Sequence, residues 1–216
     1  MELLWKLPVI AIAGYLLGNI QTGVLVSRAM GHFDIRHRGS RNAGTTNVLR
    51  TMGWAPSVLT LLGDVAKAAL ASLLGLWLGG SGGWGDWGAR LGGLCAILGH
   101  NWPALFGFRG GKGIAASLGM ILVTDPWIAL FLVPCQAVVL AITHTMSVAS
   151  LASAALYTLL SLAFHWGDWL LVLYALLVTA LAYWSHRGNI DRLKRNRENK
   201  LDFEEIDRIS RRRKNT

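Results

Sequence analysis

The sequence predicts an all-α integral membrane protein with seven transmembrane helices, and its composition supports this fold class. Of its 216 residues, 53% are hydrophobic and only 15% are charged, and it contains 10 Trp and 25 Gly. This combination is typical of membrane proteins. The formal net charge of +9 does not indicate a nucleic-acid binder, because most of the chain consists of runs rich in Leu, Ala and Val. Basic residues beside such runs favour the cytoplasmic face of a membrane.

Seven apolar segments mark the predicted helices, and several approach the roughly 20 residues that cross a bilayer core of about 30 Å. We interpret the first as an uncleaved span, because the apolar pattern continues past a short sequence resembling a signal-peptidase site. The fourth is so short that we expect its helix to start below the cytoplasmic membrane surface. The segments are Leu3–Val26, Trp54–Leu78, Ala89–Leu98, Ile114–Val123, Pro126–Ile142, Val148–Phe164 and Trp169–Trp184.

The distribution of Lys and Arg predicts the orientation. With seven spans, connections 27–53, 99–113 and 143–147 lie on the same side as the tail from 185, and together they carry 18 of the 21 Lys and Arg. The opposite connections contain acids but no Lys or Arg. The positive-inside rule therefore predicts an outside N-terminus and a cytoplasmic C-terminus. We expect a single seven-helix domain over 1–200, followed by a basic cytoplasmic tail over 201–216.

The polar stretch from Gly39 to Arg50 lies between the first two segments and has the composition of an anion site. Glycine permits unusual backbone angles, so that successive N–H groups can converge on an oxyanion, and Arg50 adds a forked cation suited to phosphate. The alternative is a solvated loop in which Ser40 or Thr45 merely caps a helix. Short neutral donors come from Ser40, Asn42, Thr45, Thr46 and Asn47.

A second glycine-rich stretch, from Gly107 to Gly113, directly precedes the fourth segment. Backbone of this kind, with Lys112 at the start of a helix, makes a second candidate anion site. It is not a Walker A nucleotide-binding loop, because Phe106 stands where the first Gly of that motif belongs and Gly113 replaces its Ser or Thr.

Ionisable residues outside these stretches have alternative interpretations. Asp64 and Lys67 lie three residues apart in the second segment and can pair, either as a structural ion pair or to steady the polar loop before them. In the tail, Arg211–Lys214 is typical of a polybasic segment on anionic lipid. His186 and Asn189 fit that role less well, since neither carries a fixed positive charge.

Several kinds of chemistry lack a signature in the sequence. There is no H-E-x-x-H motif or Cys/His cluster, so no metal site is predicted, and no G-x-S-x-G motif marks a nucleophilic serine. Cys95 and Cys135 lie in apolar runs and predict neither a disulfide framework nor thiol chemistry.

Three function classes then compete. They are an enzyme that joins a phosphorylated soluble substrate to a lipidic one, an organic-phosphate transporter, and a non-catalytic binder of anionic lipid. A transporter is expected to carry internal repeats and polar residues on both sides of the membrane. Here the donors lie on one predicted side and no repeat is visible, which favours the enzyme.

Three motifs follow one another along the chain. They are Gly39-Ser40-x-Asn42-x-Gly44-x-Thr46-Asn47-x-x-Arg50; Gly99-His100-x-x-Pro103 with Phe108-x-Gly110-Gly111-Lys112-Gly113; and His186-Arg187-x-Asn189-Ile190-x-Arg192-Leu193 with Glu198-x-Lys200. In this order, and over about residues 3–200, they resemble the bacterial membrane family of acyl-phosphate-dependent glycerol-3-phosphate acyltransferases. Two positions depart from the family's pattern: Asn196, where the family usually has Gly, and Met146, where it tends to have an aromatic residue before Ser147.

The resemblance implies transfer of a fatty acyl group from acyl phosphate to the first hydroxyl of glycerol 3-phosphate, in the bacterial cytoplasmic membrane. The products would be lysophosphatidic acid and phosphate. Acyl phosphate already has a good leaving group, so that groups stabilising the departing phosphate and the tetrahedral oxyanion suffice. No enzyme nucleophile is required. The acceptor of the hydroxyl proton stays open between His100, His186 and the phosphate of the substrate itself, with the family favouring the substrate.

The resemblance also implies partners and site residues. The expected partners are acyl phosphate, glycerol 3-phosphate, membrane lipid and the soluble enzyme that forms acyl phosphate; neither a cofactor nor nucleic acid is expected. The implied catalytic residues are Ser40, Arg50, Lys112, His186 and Asn189. The implied substrate-binding residues are Asn42, Gly44, Thr45, Thr46, Asn47, His100, Gly110, Gly111, Ser147, Arg192 and Glu198.

Overall fold

The computed structural model describes residues 2–80 and 84–214, and every regular element within them is a helix. This agrees with the predicted all-α class. Two short 3-10 helices, Ile35–His37 and Ala104–Phe106, accompany the α-helices. The α-helices are α1 Glu2–Asn19, α2 Thr22–Gly31, α3 Thr45–Met52, α4 Trp54–Gly79, α5 Trp84–Asn101, α6 Ile114–Thr124, α7 Pro126–Thr143, α8 Met146–Phe164, α9 Trp169–Ser185, α10 Arg187–Lys194 and α11 Phe203–Lys214.

The chain forms two compact units. Unit 1 comprises Met1–Thr124 and Asp202–Thr216, and unit 2 comprises Asp125–Leu201. Unit 1 therefore contains α1 to α6, α11 and the first two motifs. Unit 2 contains α7 to α10 and the third motif.

Small residues allow the long helices of unit 1 to pack closely. α4 lies against α1, α5 and α6. A Cβ added at Gly75 in α4 would collide with the carbonyl oxygen of Gly88 in α5, and one at Gly119 in α6 would collide with the carbonyl oxygen of Val65 in α4. Helices in lipid associate through such small-residue contacts, because lipid tails are as apolar as the side chains and give no hydrophobic driving force.

Hydroxyl groups connect the helices of unit 2. α8 packs against both α7 and α9. Thr158 Oγ1 of α8 lies 2.9 Å from Thr179 Oγ1 of α9, and the Thr179 hydroxyl donates to the carbonyl oxygen of Ala154 at 2.7 Å. At the far end of α8, His165 Nε2 lies 2.9 Å from Asp125 Oδ1. The residue that precedes α7 is thereby joined to the connection between α8 and α9.

Length and apolar composition identify fewer membrane spans than the seven predicted. α9 and α10 pass this test only together, as a helix pair bent by 61°. α6 is apolar but has only 11 residues, and α5 carries Asp86, Arg90 and His100, which lower its hydropathy. Within the described chain, four stretches pass the test singly: Trp5–Gly31, Trp54–Gly79, Pro126–Thr143 and Met146–Phe164.

The first predicted segment is interrupted in the structure. α1 ends at Asn19 and α2 starts at Thr22. Contacts with distant residues hold the break: Lys67 Nζ donates to the carbonyl oxygen of Ile20 at 2.6 Å, and Gln21 Nε2, from within the break, donates to the carbonyl oxygen of His100 at 3.2 Å. The continuous apolar pattern concealed this break, because the backbone groups that it frees are satisfied by residues far along the chain.

The tail after residue 200 is helical and packed. α11 lies against α3 and α4, Ile206 is only 2% exposed, and the Phe203 ring stacks on Trp54 with centroids 6.2 Å apart. Net charge predicted a basic segment next to lipid. The structure shows in addition that this segment packs against α3 and α4 of unit 1.

Candidate active site

An ion pair fixes the loop that leads into the first motif. Asp34 Oδ2 lies 3.0 Å from Arg28 Nη2 and 2.8 Å from Arg36 Nη2, and Asp34 Oδ1 accepts a hydrogen bond from the Arg36 N–H at 3.0 Å. Hydrogen bonding from the Arg36 side chain holds the pKa of Asp34 far below its usual range, against the opposing effect of partial burial. Asp34 is therefore ionised at physiological pH and closes the turn into the 3-10 helix Ile35–His37.

Asn47 organises the rest of this loop from inside α3. Its Oδ1 accepts a hydrogen bond from the Ser40 N–H at 2.8 Å. Its Nδ2 lies within donor distance of three carbonyl oxygens, those of Ile35 (3.2 Å), Arg38 (3.0 Å) and Asn42 (2.8 Å). The side-chain amide has two hydrogens for three acceptors, and it is buried. Its hydrogen bonds therefore hold the loop.

The N-terminus of α3 is open. Gly44 is its N-cap and offers no side chain, and the Gly44 N–H donates to Asn42 Oδ1 at 2.9 Å. Neither Ser40 nor Thr45 caps the helix, so the capping role that the alternative gave them is wrong. Thr45 and Thr46 occupy the first helical positions, whose N–H groups have no partner within a helix. Thr45 Oγ1 is buried without a hydrogen-bond partner among the described residues, which leaves a set of donors suited to an anion.

Two half-buried cations follow these donors in the first two motifs. Arg50 lies in the last turn of α3, whose buried residues include Val48 and Met52. Lys112 lies two residues before α6 begins at Ile114. Each cation therefore belongs to a backbone segment that packs within unit 1.

The second motif folds its glycine pair directly onto His100. The Gly111 N–H donates to the carbonyl oxygen of His100 at 3.0 Å. A Cβ at Gly110 would collide with that carbonyl oxygen, and a Cβ at Gly111 would collide with His100 Nε2. Gly113 follows with a φ of 84°, which residues with side chains rarely adopt. These glycines are required for the close packing of the loop itself.

A buried ionic cluster holds the His100 ring. Lys67 Nζ lies 2.8 Å from Asp64 Oδ1 and 2.9 Å from His100 Nδ1, and these side chains are 1–4% exposed. The predicted pairing of Asp64 with Lys67 is confirmed. The same His100 Nδ1 lies 3.5 Å from Asp64 Oδ1, and Nε2 lies against Gly111. Protein groups therefore face both ring nitrogens.

Contacts between the first two motif loops join them at one end of unit 1. Arg36 Nη1 donates to the carbonyl oxygen of Phe106 at 2.7 Å, and the Arg36 guanidinium lies 5.5 Å from the centroid of the Phe106 ring. The same ring packs against a buried cluster contributed by α2, the first loop and α3. The members of this cluster are Val24, Ile35, Ala43, Val48 and Met52.

Glu198 organises the third motif in unit 2. Its Oε1 accepts from Asn189 Nδ2 at 2.6 Å and from Ser147 Oγ at 3.0 Å, and its Oε2 pairs with Arg192 Nε at 2.7 Å. Burial by itself would raise the pKa of Glu198, but the hydrogen bonds from Asn189, Arg192 and Ser147 outweigh it and hold the pKa below the ordinary 4.5. The carboxylate is therefore ionised at neutral pH and orients three polar side chains.

The two departures from the family's pattern leave this arrangement intact. Asn196 has a φ of 52°, and Asn tolerates this left-handed conformation better than most residues with a side chain. It therefore serves where a glycine is usual. Met146 begins α8, and the next residue, Ser147, still reaches Glu198.

His186 lies at the bend between α9 and α10 and is 3% exposed. Its Nδ1 lies 2.8 Å from the carbonyl oxygen of Ala182. A carbonyl oxygen only accepts, so Nδ1 carries a proton and donates to it. This hydrogen bond orients the ring at the bend.

Among the residues that the structure describes, no group of three or more His, Cys, Asp or Glu side chains is arranged to hold a metal ion. The two buried motif-associated carboxylates, Asp64 and Glu198, are each paired with a cationic side chain instead.

A comparison with known protein families gives a match over most of the chain. The model of the family described as glycerol-3-phosphate acyltransferase matches residues 8–196. The chain belongs to the glycerol-3-phosphate acyltransferase family. A relative of this name from Clostridioides difficile is 39% identical over 204 residues, which cover 89% of this chain and 94% of the relative. One from Thermus thermophilus is 41% identical over 192 residues, with coverage of 88% and 92%.

Solved structures agree with this membership. A crystal structure of PlsY (YgiH), an integral membrane glycerol 3-phosphate acyltransferase, in its glycerol 3-phosphate form has a TM-score of 0.83 and 31% identity, over 93% of this chain and 98% of that one. The lysophosphatidic acid form gives a TM-score of 0.80 and 30% identity, with coverage of 93% and 97%. The resemblance in the sequence motifs is confirmed, and this member of the acyltransferase family is an integral membrane protein.

Sequence reasoning missed two residues that support the second motif of this glycerol-3-phosphate acyltransferase. The Tyr15 hydroxyl donates to the carbonyl oxygen of Trp102 at 2.7 Å and lies 3.2 Å from the N–H of Ala104. Asn19 Oδ1 accepts from the N–H of Leu105 at 3.1 Å. Both come from α1 and hold the connection after α5. The available signal was polar side chains near the end of an apolar segment.

Proposed function

We propose that this protein transfers a fatty acyl group from acyl phosphate to the sn-1 hydroxyl of glycerol 3-phosphate, giving lysophosphatidic acid and phosphate. The observation that carries the proposal is the open N-terminus of α3, with the buried and unpartnered Thr45 hydroxyl, on the same eight-residue helix as Arg50. Such a helix start fits a phosphate group, which both proposed substrates and both proposed products contain. Membership of the acyltransferase family supports the type of reaction.

In the proposed reaction the sn-1 hydroxyl oxygen attacks the carbonyl carbon of acyl phosphate. The tetrahedral intermediate then breaks its bond to the phosphate oxygen, which leaves the ester and inorganic phosphate. Cations and N–H groups lower the barrier by stabilising the oxyanion and the departing phosphate. We assign this role to Lys112, Arg50 and the start of α3, with the exposed Ser40 hydroxyl as a further donor. Holding a soluble phosphate beside a membrane-embedded donor adds the effect of proximity.

The other predicted residues are assigned by the hydrogen bonds they already make. Asn47 and His100, whose polar atoms face protein groups, position the two loops of unit 1. Within unit 2 we assign substrate binding to Ser147, Asn189 and Arg192, the side chains that Glu198 orients; the Arg192 side chain is 43% exposed. We assign phosphate binding to the two loops of unit 1, which include Asn42, Gly44, Thr46, Gly110 and Gly111.

We propose that the phosphate of glycerol 3-phosphate accepts the hydroxyl proton. The His100 ring is buried, and protein groups face both of its nitrogens. His186 is the other candidate acceptor in the protein. The pH dependence of kcat/KM distinguishes the two acceptors, because a catalytic histidine adds a limb near its own pKa. We expect His186→Asn to lower the rate without removing the acidic limb. Loss of that limb would assign the proton to His186.

We also propose seven membrane crossings, with α5 and α6 as the third and fourth, in the bacterial cytoplasmic membrane. The N-terminus is outside and the C-terminus is cytoplasmic. The charge distribution supports this orientation, and so do contacts within each unit, because they join connections assigned to the same side. These contacts are Arg36 with Phe106, His165 with Asp125, and the Leu201 N–H with the carbonyl oxygen of His144 at 2.7 Å.

Single-cysteine labelling in intact cells tests the orientation, in a background with Cys95 and Cys135 replaced. A cysteine at position 166 should label from outside, and so should one at position 83, which lies outside the described residues. Cysteines at positions 41 and 197 should label only after permeabilisation. Labelling of position 41 from outside would place the first motif on the wrong side for the proposed reaction.

Purified protein in detergent tests the reaction itself. With acyl phosphate and glycerol 3-phosphate it should form lysophosphatidic acid and phosphate in equal amounts, and the soluble enzyme that forms acyl phosphate should be able to supply the donor. Acyl-coenzyme A should give little product, because the sequence has no nucleotide-binding fingerprint for its adenosine part. Comparable turnover with both donors would contradict this. Movement of glycerol 3-phosphate across vesicles without lysophosphatidic acid would favour the organic-phosphate transporter.

A further inference from the structure

Helix α11 lies beyond residues 8–196, the part of the chain that matches the family, yet it packs against the helix that carries Arg50. We propose that α11 is a clamp that positions α3, and through it Arg50. The inference rests on the proposed role of Arg50 in phosphate binding. It gives a positioning function to a segment that contributes no group to the reaction.

The clamp acts at the junction between α3 and α4. Gly53, with a φ of 84°, is the N-cap of α4 and has no side chain to bind the exposed N–H groups there. Ser210 Oγ of α11 takes this place: it accepts from the Trp54 N–H at 3.1 Å and donates to the carbonyl oxygen of Ile206 at 2.8 Å. A residue 156 positions away thus caps α4.

Two further contacts come from the same face of α11. The Trp54 indole Nε1 donates to Asp207 Oδ1 at 2.7 Å, and the Trp54 and Phe203 rings are stacked with an interplanar angle of 4°. Residues 203, 207 and 210 recur at helical spacing, so one stripe of α11 faces the junction. A Cβ at Gly53 would collide with Ser210 Oγ, so the junction is shaped to receive this helix.

Arg50 depends on this junction because α3 is short. The helix has eight residues and Arg50 lies in its last turn, close to Gly53. A helix of this length is not stable by itself in water, so its position is set by what it packs against. Loosening the C-terminal end of α3 moves the Arg50 guanidinium relative to the donors at the N-terminal end. Phosphate binding then weakens although every group that touches phosphate is still present.

Kinetics of a matched set of variants test the clamp. Ser210→Ala removes the cap and should raise the KM for the phosphate substrate that Arg50 holds by about three- to tenfold, the scale of one lost helix cap, while kcat changes much less. Ser210→Thr keeps the hydroxyl and should restore a KM near that of wild type. Arg212→Gln changes an exposed residue on the opposite face of α11. It is the control for a substitution in α11 that leaves the cap in place.

A double-mutant cycle shows whether the effect passes through Arg50. In an Arg50→Lys background the forked grip is already lost, so adding Ser210→Ala should have little further effect on KM. The shift in unfolding temperature on adding glycerol 3-phosphate reports binding without turnover. It keeps the clamp measurable if the proposed reaction fails.

The same measurements can overturn the clamp. A Ser210→Ala protein with a lower Tm but wild-type KM and a wild-type ligand-induced shift would show that α11 only stabilises the fold. An equal effect of Ser210→Ala with and without Arg50 would also overturn it, because the contact would then act through another residue.

Discussion

The motif loops of unit 1 and the third motif in unit 2 are built in different ways. In unit 1, contacts with the backbone shape the loops: Asn47 binds loop carbonyls, and Gly110 and Gly111 contact His100 with no room for a side chain. In unit 2 a single ionised carboxylate, that of Glu198, holds Ser147, Asn189 and Arg192 through hydrogen bonds.

This difference predicts which perturbations each region resists. A loop whose glycines pack against a neighbouring ring is sensitive to added volume, because no space is left for a side chain. A cluster set by one carboxylate is sensitive to neutralisation and to acid. In the loops of unit 1, substitutions that add volume should therefore matter more than those that change side-chain chemistry. In the Glu198 cluster of unit 2 we expect the reverse.

The largest effect should come from removing the cations that the loops of unit 1 support. Lys112→Ala and Arg50→Ala should each lower turnover by at least about 10²–10³, the usual cost of one transition-state donor. Arg50→Lys should stay badly impaired, because an ammonium group cannot make the two parallel bonds of a guanidinium. Initial rates of lysophosphatidic acid formation at saturating substrate measure these effects.

Inactive variants count only if they fold. Each must express, extract into detergent and elute from size-exclusion chromatography as the wild type does. A well-folded Lys112→Ala protein that keeps more than about a tenth of wild-type turnover would mean that the glycine-lysine stretch is structural. The backbone-built loops of unit 1 would then have another purpose.

A smaller effect is expected from adding volume beside His100. In Gly111→Ala the new methyl group displaces a ring that Lys67 holds at 2.9 Å, and such overpacking typically costs about 1–3 kcal/mol. Gly107→Ala is the comparison in the same loop: nothing lies within 4 Å of an added Cβ there, so its loss comes from the φ of 66° alone. Thermal unfolding should show a larger loss for Gly111→Ala. Equal losses would contradict the role assigned to backbone packing.

Much of the fold was predictable because it is encoded in local hydropathy. Apolar segments Pro126–Ile142 and Val148–Phe164 correspond to α7 Pro126–Thr143 and α8 Met146–Phe164. The break after α1 was not predictable, since the groups that hold it are 47 and 79 positions away. The count of seven spans stays a prediction, because α5 and α6 depend on polar flanks that a hydropathy pattern does not evaluate.

The hydrogen bonds that the candidate site residues make were not predictable from the sequence. The resemblance implied that Asn47 and His100 bind substrate, and in the structure polar atoms of both side chains bond to protein groups. These bonds depend on tertiary contacts, such as the one between His100 and Lys67, 33 positions apart. The packing of α11 against α3 and α4 was not predictable either, because it also depends on tertiary contacts. The composition of the tail shows mainly its basic residues.

Acid should weaken the Glu198 cluster of unit 2. The pKa of Glu198 is depressed in the folded protein, so its contribution to stability is complete above the ordinary value of 4.5 and is lost as the pH falls through the lower folded value. Glu198→Gln should lower the unfolding free energy at pH 7 by roughly 1–3 kcal/mol and lose less on acidification. Exposed Glu204→Gln is the control. An acid response equal to that of wild type in Glu198→Gln would contradict the carboxylate-centred arrangement.

The smallest effect is expected at Arg211, which is part of neither the motif loops of unit 1 nor the Glu198 cluster of unit 2. It is exposed on α11 and is not among Phe203, Asp207 and Ser210, whose contacts with Trp54 are described above. Exposed charges of this kind typically change stability by less than about 0.5 kcal/mol, and many other Lys and Arg in the tail maintain the charge bias that orients the chain. Arg211→Ala should therefore keep turnover within about twofold of wild type, measured in anionic and in neutral lipid. A fall of tenfold or more in both lipids would mean that the basic end of α11 binds a substrate directly, and the clamp would then be part of the site that it was inferred only to position.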